Sequence, residues 1–474
     1  MAGLVLSLVA AITLAGGVAF PETLEFGRFG TVVLYRDTPQ PSHVVLFVSG
    51  DGGWNLGVVD MARALAGLDA LVVGIDITHY LKQLDAGSET CGYPAGELEG
   101  LSQFVQQSLG FPRYVRPVLV GYSSGATLVY AALVQAPSAT FQGAISMGFC
   151  PELPLTRPLC RGRGLRFTAG PKGKGYSFLP DAGLEVPWVA FQGLIDQVCD
   201  PATVEAYVRQ VGHGSIVTLP HVGHGFSVQR NWLPQFRASF LKMVETSPAA
   251  AASPAPDAAE VAGLPLVEVP ATGPATDLMA VIVSGDGGWA SLVKEVGGAL
   301  ASHGIPVIGL DSLKYFWKAR DPDQIGRDLT RILEHASAAW GERRIVLVGY
   351  SLGADVLPFM ISRLPEALRA RIALVTLIGP GTEASFEFHL SEWFHSRRDP
   401  GALPSLPELR KLRGLDVLCI AGEKETDSLC ADLGDAATWV QVERLGGGHH
   451  LGGDYGRVAD EILARVAAAP PGGA

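Results

Sequence analysis

Two serines stand in the same local pattern, Gly121-Tyr-Ser123-Ser-Gly-Ala126 and Gly349-Tyr-Ser351-Leu-Gly-Ala354. Each follows a short apolar run that reads as a strand and precedes a run with helical character. In that setting G-x-S-x-G is a sharp strand-to-helix turn. It lifts the serine hydroxyl clear of its neighbours, and the glycines remove side chains that would collide in the turn. The N–H that follows the serine, at a helix N-terminus, can then stabilise a developing oxyanion. A lone G-x-S-x-G is often only a glycine turn. The flanking elements and the repetition favour a nucleophile.

A serine nucleophile needs a base and an acid, which follow it in the order acid, then histidine, on a turn of this kind. After Ser123 the segment Val189–Cys199 ends in Asp-x-x-Cys, and after Ser351 the segment Leu418–Cys430 does the same. Aligning the cysteines pairs Asp427 with Asp196 and makes Asp427 the expected acid, with Glu425 as the alternative. Its task is to hold the imidazole tautomer and stabilise the imidazolium. Glycine-flanked histidines come next, His224 in His-Val-Gly-His-Gly and His449 in Gly-Gly-Gly-His-His. His449 is the expected base, and His450 the alternative. The expected sets are Ser351, Asp427 and His449, and a second one of Ser123, Asp196 and His224.

The hexapeptide SGDGGW occurs twice, at Ser49–Trp54 and Ser284–Trp289, each time after an earlier apolar run. Here it is expected to supply the second oxyanion donor, the N–H of Gly285 or Asp286, paired with that of Leu352. Losing one such donor costs about 3 kcal/mol in the barrier. Asp286 would repel anions at the mouth of the site and could hold an ammonium group. Beyond the next strand, Asp311-Ser-Leu-Lys-Tyr-Phe-Trp317 offers Asp311 and Trp317 as substrate contacts, with core packing the alternative for the aromatic residues. The basic stretch Arg161–Lys174 reads as a solvated loop or a contact for anionic lipid.

The strands and helices around these residues also come in duplicate. Apolar runs at His43–Val48, Ala70–Ile75 and Val115–Val120 alternate with helical segments. Leu278–Val283, Pro306–Leu310 and Arg344–Val348 repeat the plan. Alternation of this kind predicts α/β architecture with a mostly parallel sheet. The 474 residues therefore read as two tandem α/β-hydrolase-like domains at 20–245 and 264–474. A Pro/Ala-rich linker over 246–263 joins them.

Leu4–Phe20 is the only long apolar run, and its Val-Ala ending predicts a signal peptide over 1–19, although a basic n-region is missing. A formal net charge of −11 argues against direct nucleic-acid binding, which needs a concentrated basic surface. Six cysteines, four in the first half and two in the second, permit disulfides closed within each half. Cys150–Cys160 and Cys419–Cys430 are the nearest pairs in sequence.

Together, SGDGGW, GYSLGAD, DSLKYFW, GEKETDSLC and GGGHH resemble the VirJ-type bacterial virulence domain, over about Leu264–Ala468. The whole layout resembles the AcvB/VirJ family. That resemblance implies a periplasmic serine hydrolase that removes lysine from lysyl-phosphatidylglycerol. It would act at a membrane surface and need no cofactor or metal. It also implies an association with type IV secretion components. The alternatives are another periplasmic esterase or thioesterase, or a non-catalytic secretion-associated binding protein. On the lipid reading, Asp286, Asp311, Glu423 and Glu425 are candidates to face the lysyl ammonium groups.

Overall fold

A computed structural model describes residues 22–87, 91–137, 140–245, 261, 263–289, 291–387, 401–433, 437–449, 451 and 455–468. The expected signal peptide lies outside the described residues, as does all of the expected linker except residues 261 and 263. Among the described residues, no helix is long and apolar enough to cross a membrane.

The first half is built on one eight-stranded sheet. Its spatial order is Glu22–Phe26, Gly30–Tyr35, Ala70–Ile75, His43–Val48, Val118–Tyr122, Gly143–Met147, Trp188–Gly193 and Gly214–Leu219. The two outermost strands at the N-terminal edge join antiparallel, and every other pairing is parallel. The second half has a seven-stranded sheet in the order Leu266–Val269, Val307–Leu310, Leu278–Val283, Arg344–Tyr350, Ile372–Ile378, Val417–Gly422 and Val440–Leu445. Only its first strand is antiparallel. This is the α/β-hydrolase arrangement, written twice.

The central strands are continuous Val, Ile and Leu runs because both faces are covered by helices. In each half the chain winds first to one side of the strand that ends at SGDGGW, then to the other. That reversal opens a crevice at the carboxyl ends of the central strands. SGDGGW and G-x-S-x-G lie side by side there.

The tryptophan of SGDGGW has a structural task. A Cβ on Gly74 would fall 2.1 Å from the Trp54 ring, and one on Gly309 would fall 2.1 Å from the Trp289 ring. Each indole therefore lies flat on a bare glycine of the neighbouring strand and pins the loop to the sheet.

Three disulfides join Cys91–Cys160, Cys150–Cys199 and Cys419–Cys430. Each is closed within its half. Of the two nearest pairs, only Cys419–Cys430 forms. The basic stretch Arg161–Lys174 enters a small three-stranded sheet. There Arg163 donates to the Gly183 carbonyl and pairs with Glu185, and Arg166 donates to the Pro180 carbonyl.

The halves meet through Trp317. It is 7% exposed and packs into the apolar core of the first half together with Leu313. Its indole Nε1 donates to the Phe111 carbonyl at 2.8 Å, and its ring lies 5.6 Å from that of Tyr114.

Candidate active sites

Ser123 and Ser351 occupy the N-cap positions of helices Ser124–Gln135 and Leu352–Ile361, with φ of 55° and 51°. A serine at an N-cap ordinarily spends its hydroxyl on a helix N–H. Neither of these does so. Positive φ on a residue other than glycine costs on the order of 1–3 kcal/mol and persists only where its surroundings enforce it. The flanking glycines are part of that enforcement. A Cβ on Gly353 would meet the Val283 carbonyl at 2.1 Å, and one on Gly125 the Ser49 carbonyl at 2.3 Å.

The freed hydroxyls face imidazoles. Ser351 Oγ lies 3.0 Å from His449 Nε2, and Ser123 Oγ lies 2.9 Å from His224 Nε2. The histidine loops repeat down to their backbone. Two residues after each histidine, Phe226 and Leu451 take φ of 47° and 49°, and their N–H groups donate to Gly223 and Gly448. A third glycine in each half leaves room for the ring. A Cβ on Gly379 would come 2.9 Å from the His449 ring, and one on Gly148 would come 3.2 Å from the His224 ring. The sequence reading missed both glycines. The signal was available, since a glycine follows the next strand in Met147-Gly148 and in Ile378-Gly379.

The acids divide the two halves. His224 Nδ1 pairs with Asp196 Oδ2 at 2.9 Å, as expected from the residue order. His449 Nδ1 pairs with Glu425 Oε1 at 2.6 Å, and the expected Asp427 is exposed. The correction has a simple cause. Both loops leave their strand at a glycine and make the same turn, with Asp196 N–H donating to Gly193 and Glu425 N–H donating to Gly422. The acid thus stands three residues after that glycine in each half. The second loop is two residues longer on the cysteine side, so alignment from the cysteine lands on the wrong residue. The alternative base, His450, lies outside the described residues.

Electrostatics suit the arrangement. Burial alone would raise the Glu425 carboxyl, but His449, the Gly422 N–H and Arg444 hold it below its ordinary value. Burial works against charge on His449, yet Glu425, then Asp286 and Asp355, raise its pKa above 6.5. Asp196 is likewise held low against its burial by the Cys199 N–H, His224 and the Val198 N–H.

SGDGGW borders each serine. A Cβ on Gly285 would stand 3.3 Å from Ser351 Cβ, and one on Gly50 would stand 3.0 Å from Ser123 Cβ. The backbone of Gly285 therefore lines the space above Ser351, beside Leu352 at the start of the helix. The Asp286 carboxylate accepts from the Gly287 N–H at 3.0 Å and is partly exposed. Two expected substrate contacts lie elsewhere. Asp311 is 5% exposed, caps helix Ser312–Tyr315 and pairs with the Lys314 ammonium at 2.7 Å. Asp76 makes the equivalent cap in the first half and also accepts from the Trp54 N–H. Asp76 thus holds its SGDGGW loop in place, and Asp311 abuts the second copy, 2.8 Å from where a Cβ on Gly288 would stand. Trp317 belongs to the contact between the halves, because its ring is buried in the core of the other half.

Asp196, Cys199 and His224 bring ligand-type atoms within 4.8 Å of one another. Cys199 is bonded to Cys150 and so offers no thiolate, and both nitrogens of His224 face Ser123 and Asp196. The cluster fits a proton relay and not a metal centre.

Among solved structures, the chain is similar to an esterase, Est1E, from Butyrivibrio proteoclasticus. Identity is 11% over 48% of this chain and 100% of that one, with a TM-score of 0.32. It is also similar to a lidless α/β serine hydrolase from Xanthomonas campestris, at 22% identity over 48% of this chain and 95% of that one, with a TM-score of 0.32. An esterase from Thermogutta terrifontis gives 16%, 48%, 94% and 0.33 in the same order. At these identities and scores the likenesses carry no argument about substrate. No curated protein matches the chain. The model of the bacterial virulence protein VirJ matches residues 42–149 and 277–469, more than half of the sequence, so the chain belongs to the VirJ family.

Proposed function

We propose that the second half is a serine hydrolase that cleaves the aminoacyl ester of lysyl-phosphatidylglycerol, with Ser351 as nucleophile, His449 as base and Glu425 as the acid. The observation that carries this is the relay from Ser351 Oγ through His449 to Glu425, at 3.0 and 2.6 Å. His449 takes the Ser351 proton while Oγ attacks the lysyl ester carbonyl. The N–H groups of Leu352 and of Gly285 or Asp286 receive the oxyanion. Collapse breaks the bond to the lipid glycerol, and the histidinium protonates that leaving alcohol. Water, deprotonated by His449, then attacks the lysyl-enzyme ester. Lysine is released and Ser351 recovers its proton. No cofactor is called for.

A cationic acyl group is supported by carboxylates at the mouth. Asp286 lies near enough to raise the pKa of His449. Glu99, which comes from the first half, is pushed up to about 8, chiefly by burial and then by Asp286 and Asp311. A carboxyl held near neutrality beside Asp286 gains its charge most readily when an ammonium group arrives. Three disulfides suit an oxidising compartment and support the periplasmic placement. Membrane contact and type IV secretion components belong to this proposal through the family alone.

The test is lysine release from lysyl-phosphatidylglycerol vesicles by the full chain and its Ser351→Ala and Ser123→Ala variants. Loss of release in Ser351→Ala, with release kept in Ser123→Ala, supports the assignment. No release by the wild-type chain would overturn the substrate.

A further inference from the structure

The first half holds a second relay that the proposal above does not use. Ser123 Oγ, His224 and Asp196 are joined at 2.9 and 2.9 Å, and the serine carries the same positive φ as Ser351. The acid is anchored more firmly than its counterpart. Asp196 Oδ1 accepts from the Val198 and Cys199 N–H groups at 2.8 and 3.0 Å, and the Cys150–Cys199 disulfide ties this loop to the segment beyond the central strand Gly143–Met147. An idle relic is not expected to retain a strained serine, an open ring slot at Gly148 and a fully partnered acid together.

The rim of this site is apolar. Four of the seven large apolar side chains exposed among the described residues flank the acid and the base: Leu194 at 48%, Ile195 at 61%, Val198 at 67% and Val228 at 42%. Ile195 stands against the histidine loop. Its N–H donates to the Val222 carbonyl at 3.2 Å, and a Cβ on Gly223 would come 4.0 Å from its Cγ1. Counting from the strand-ending glycines, the second half has Glu423 and Lys424 where the first has Leu194 and Ile195. Both are exposed. The same position is therefore charged at one site and greasy at the other. Exposed apolar side chains clustered beside a catalytic relay mark a ligand-binding surface.

We infer that Ser123, His224 and Asp196 form a second esterase site, and that its substrates are carboxylic esters with an apolar acyl chain lying on Leu194, Ile195 and Val198. Ser123 Oγ bonds to the acyl carbon, the bond to the alcohol breaks, and His224 carries the serine proton to that alcohol. Water then cleaves the acyl-enzyme and frees a carboxylic acid. This inference is independent of the lysyl-lipid reading, because it concerns the other serine and an uncharged acyl group.

The experiment uses the full chain as Ser351→Ala, Ser123→Ala and the double variant, with a fluorophosphonate probe and p-nitrophenyl acetate and octanoate. The expected result is a probe adduct on Ser123 in the Ser351→Ala chain. Its octanoate hydrolysis should exceed that of the double variant by about 10³-fold or more. Absence of the adduct, or equal hydrolysis by the single and double variants, overturns the second site. In the Ser351→Ala background, Ile195→Ser with Val198→Ser should raise KM for octanoate about tenfold more than for acetate, since each contact with a chain methylene counts separately. An equal change for both esters overturns the apolar-acyl assignment.

Discussion

The two halves share one serine–histidine–carboxylate geometry and differ in what surrounds it. In both, a serine at positive φ meets a histidine held by a carboxylate, on a loop ending in a second strained residue. In the first half the acid is a short aspartate with a fully buried side chain, and its histidine is 17% exposed. In the second it is a glutamate at 8%, and its histidine is 39% exposed. The longer glutamate reaches from a loop two residues longer. Duplication has kept the relay and let its rim drift, apolar at one site and charged at the other. The reacting geometry tolerates little change, whereas the rim answers to the substrate.

The largest difference between the halves is expected at the acids. Glu425→Gln should lower kcat for lysyl-lipid cleavage by about 10⁴, the size expected when a carboxylate that holds the histidine tautomer becomes an amide. Asp427→Asn should leave that kcat within about twofold, as befits an exposed side chain away from the relay. Steady-state kinetics on both variants decides between the two acids, and the reverse pattern would restore Asp427.

Gly379→Ala comes next. The added methyl would press on the His449 ring from a backbone at φ 58°. A displacement of about 1 Å should cost about 10²-fold in kcat, with the lysyl-lipid assay as readout. Gly148→Ala should harm only the Ser123 reaction. If either glycine variant affected both serines, the halves would not be separate catalytic units.

The pH dependence sharpens the same contrast. His449 acts as a base only when neutral, and Glu425 raises its pKa above 6.5. The kcat/KM for lysyl-lipid cleavage should therefore fall as pH drops through a value above 6.5. The residual activity of Glu425→Gln should show that limb at lower pH, because the raising carboxylate is gone. An unmoved limb would assign the titration to another group.

The smallest effect is expected at Glu99. Its folded pKa of about 8 lies above the ordinary 4.5, so the fold binds this proton more tightly than the unfolded chain does. Its contribution to stability is then most favourable at low pH and declines as pH rises from about 4.5 to about 8. Glu99→Gln removes that decline. Melting temperatures should show a larger gain for the variant at pH 8.5 than at pH 5. KM for the cationic lipid should rise by a few-fold, the size of one partly screened charge contact. A gain equal at both pH values would contradict the raised pKa of Glu99, and an unchanged KM would sever it from the cationic acyl group.

The repeated motifs made the architecture, both serine turns and the geometry of the first relay legible, because a strand-to-helix turn of this kind needs glycines at set places that survive as letters. The glycines opposite the histidine rings were equally visible, yet their purpose depends on strands adjacent only in the fold. The second acid was misread because an insertion lay between the strand and the cysteine chosen as anchor. The strand-ending glycine was the better anchor, since the turn is hydrogen-bonded from there. Trp317 could not be placed from its motif. An aromatic run carries no sign of whether it faces a substrate or the core of the other half, and here it crosses between them.

In the proposed reaction Ser351 takes the lysyl group onto itself. The direct measurement is rapid acid quench of the full chain with lysyl-phosphatidylglycerol vesicles, followed by mass spectrometry of the peptide that carries Ser351. A lysyl ester on Ser351 that forms before free lysine and is absent in Ser351→Ala is the expected result. Release of lysine with no adduct on Ser351, or with the adduct on Ser123, would contradict it.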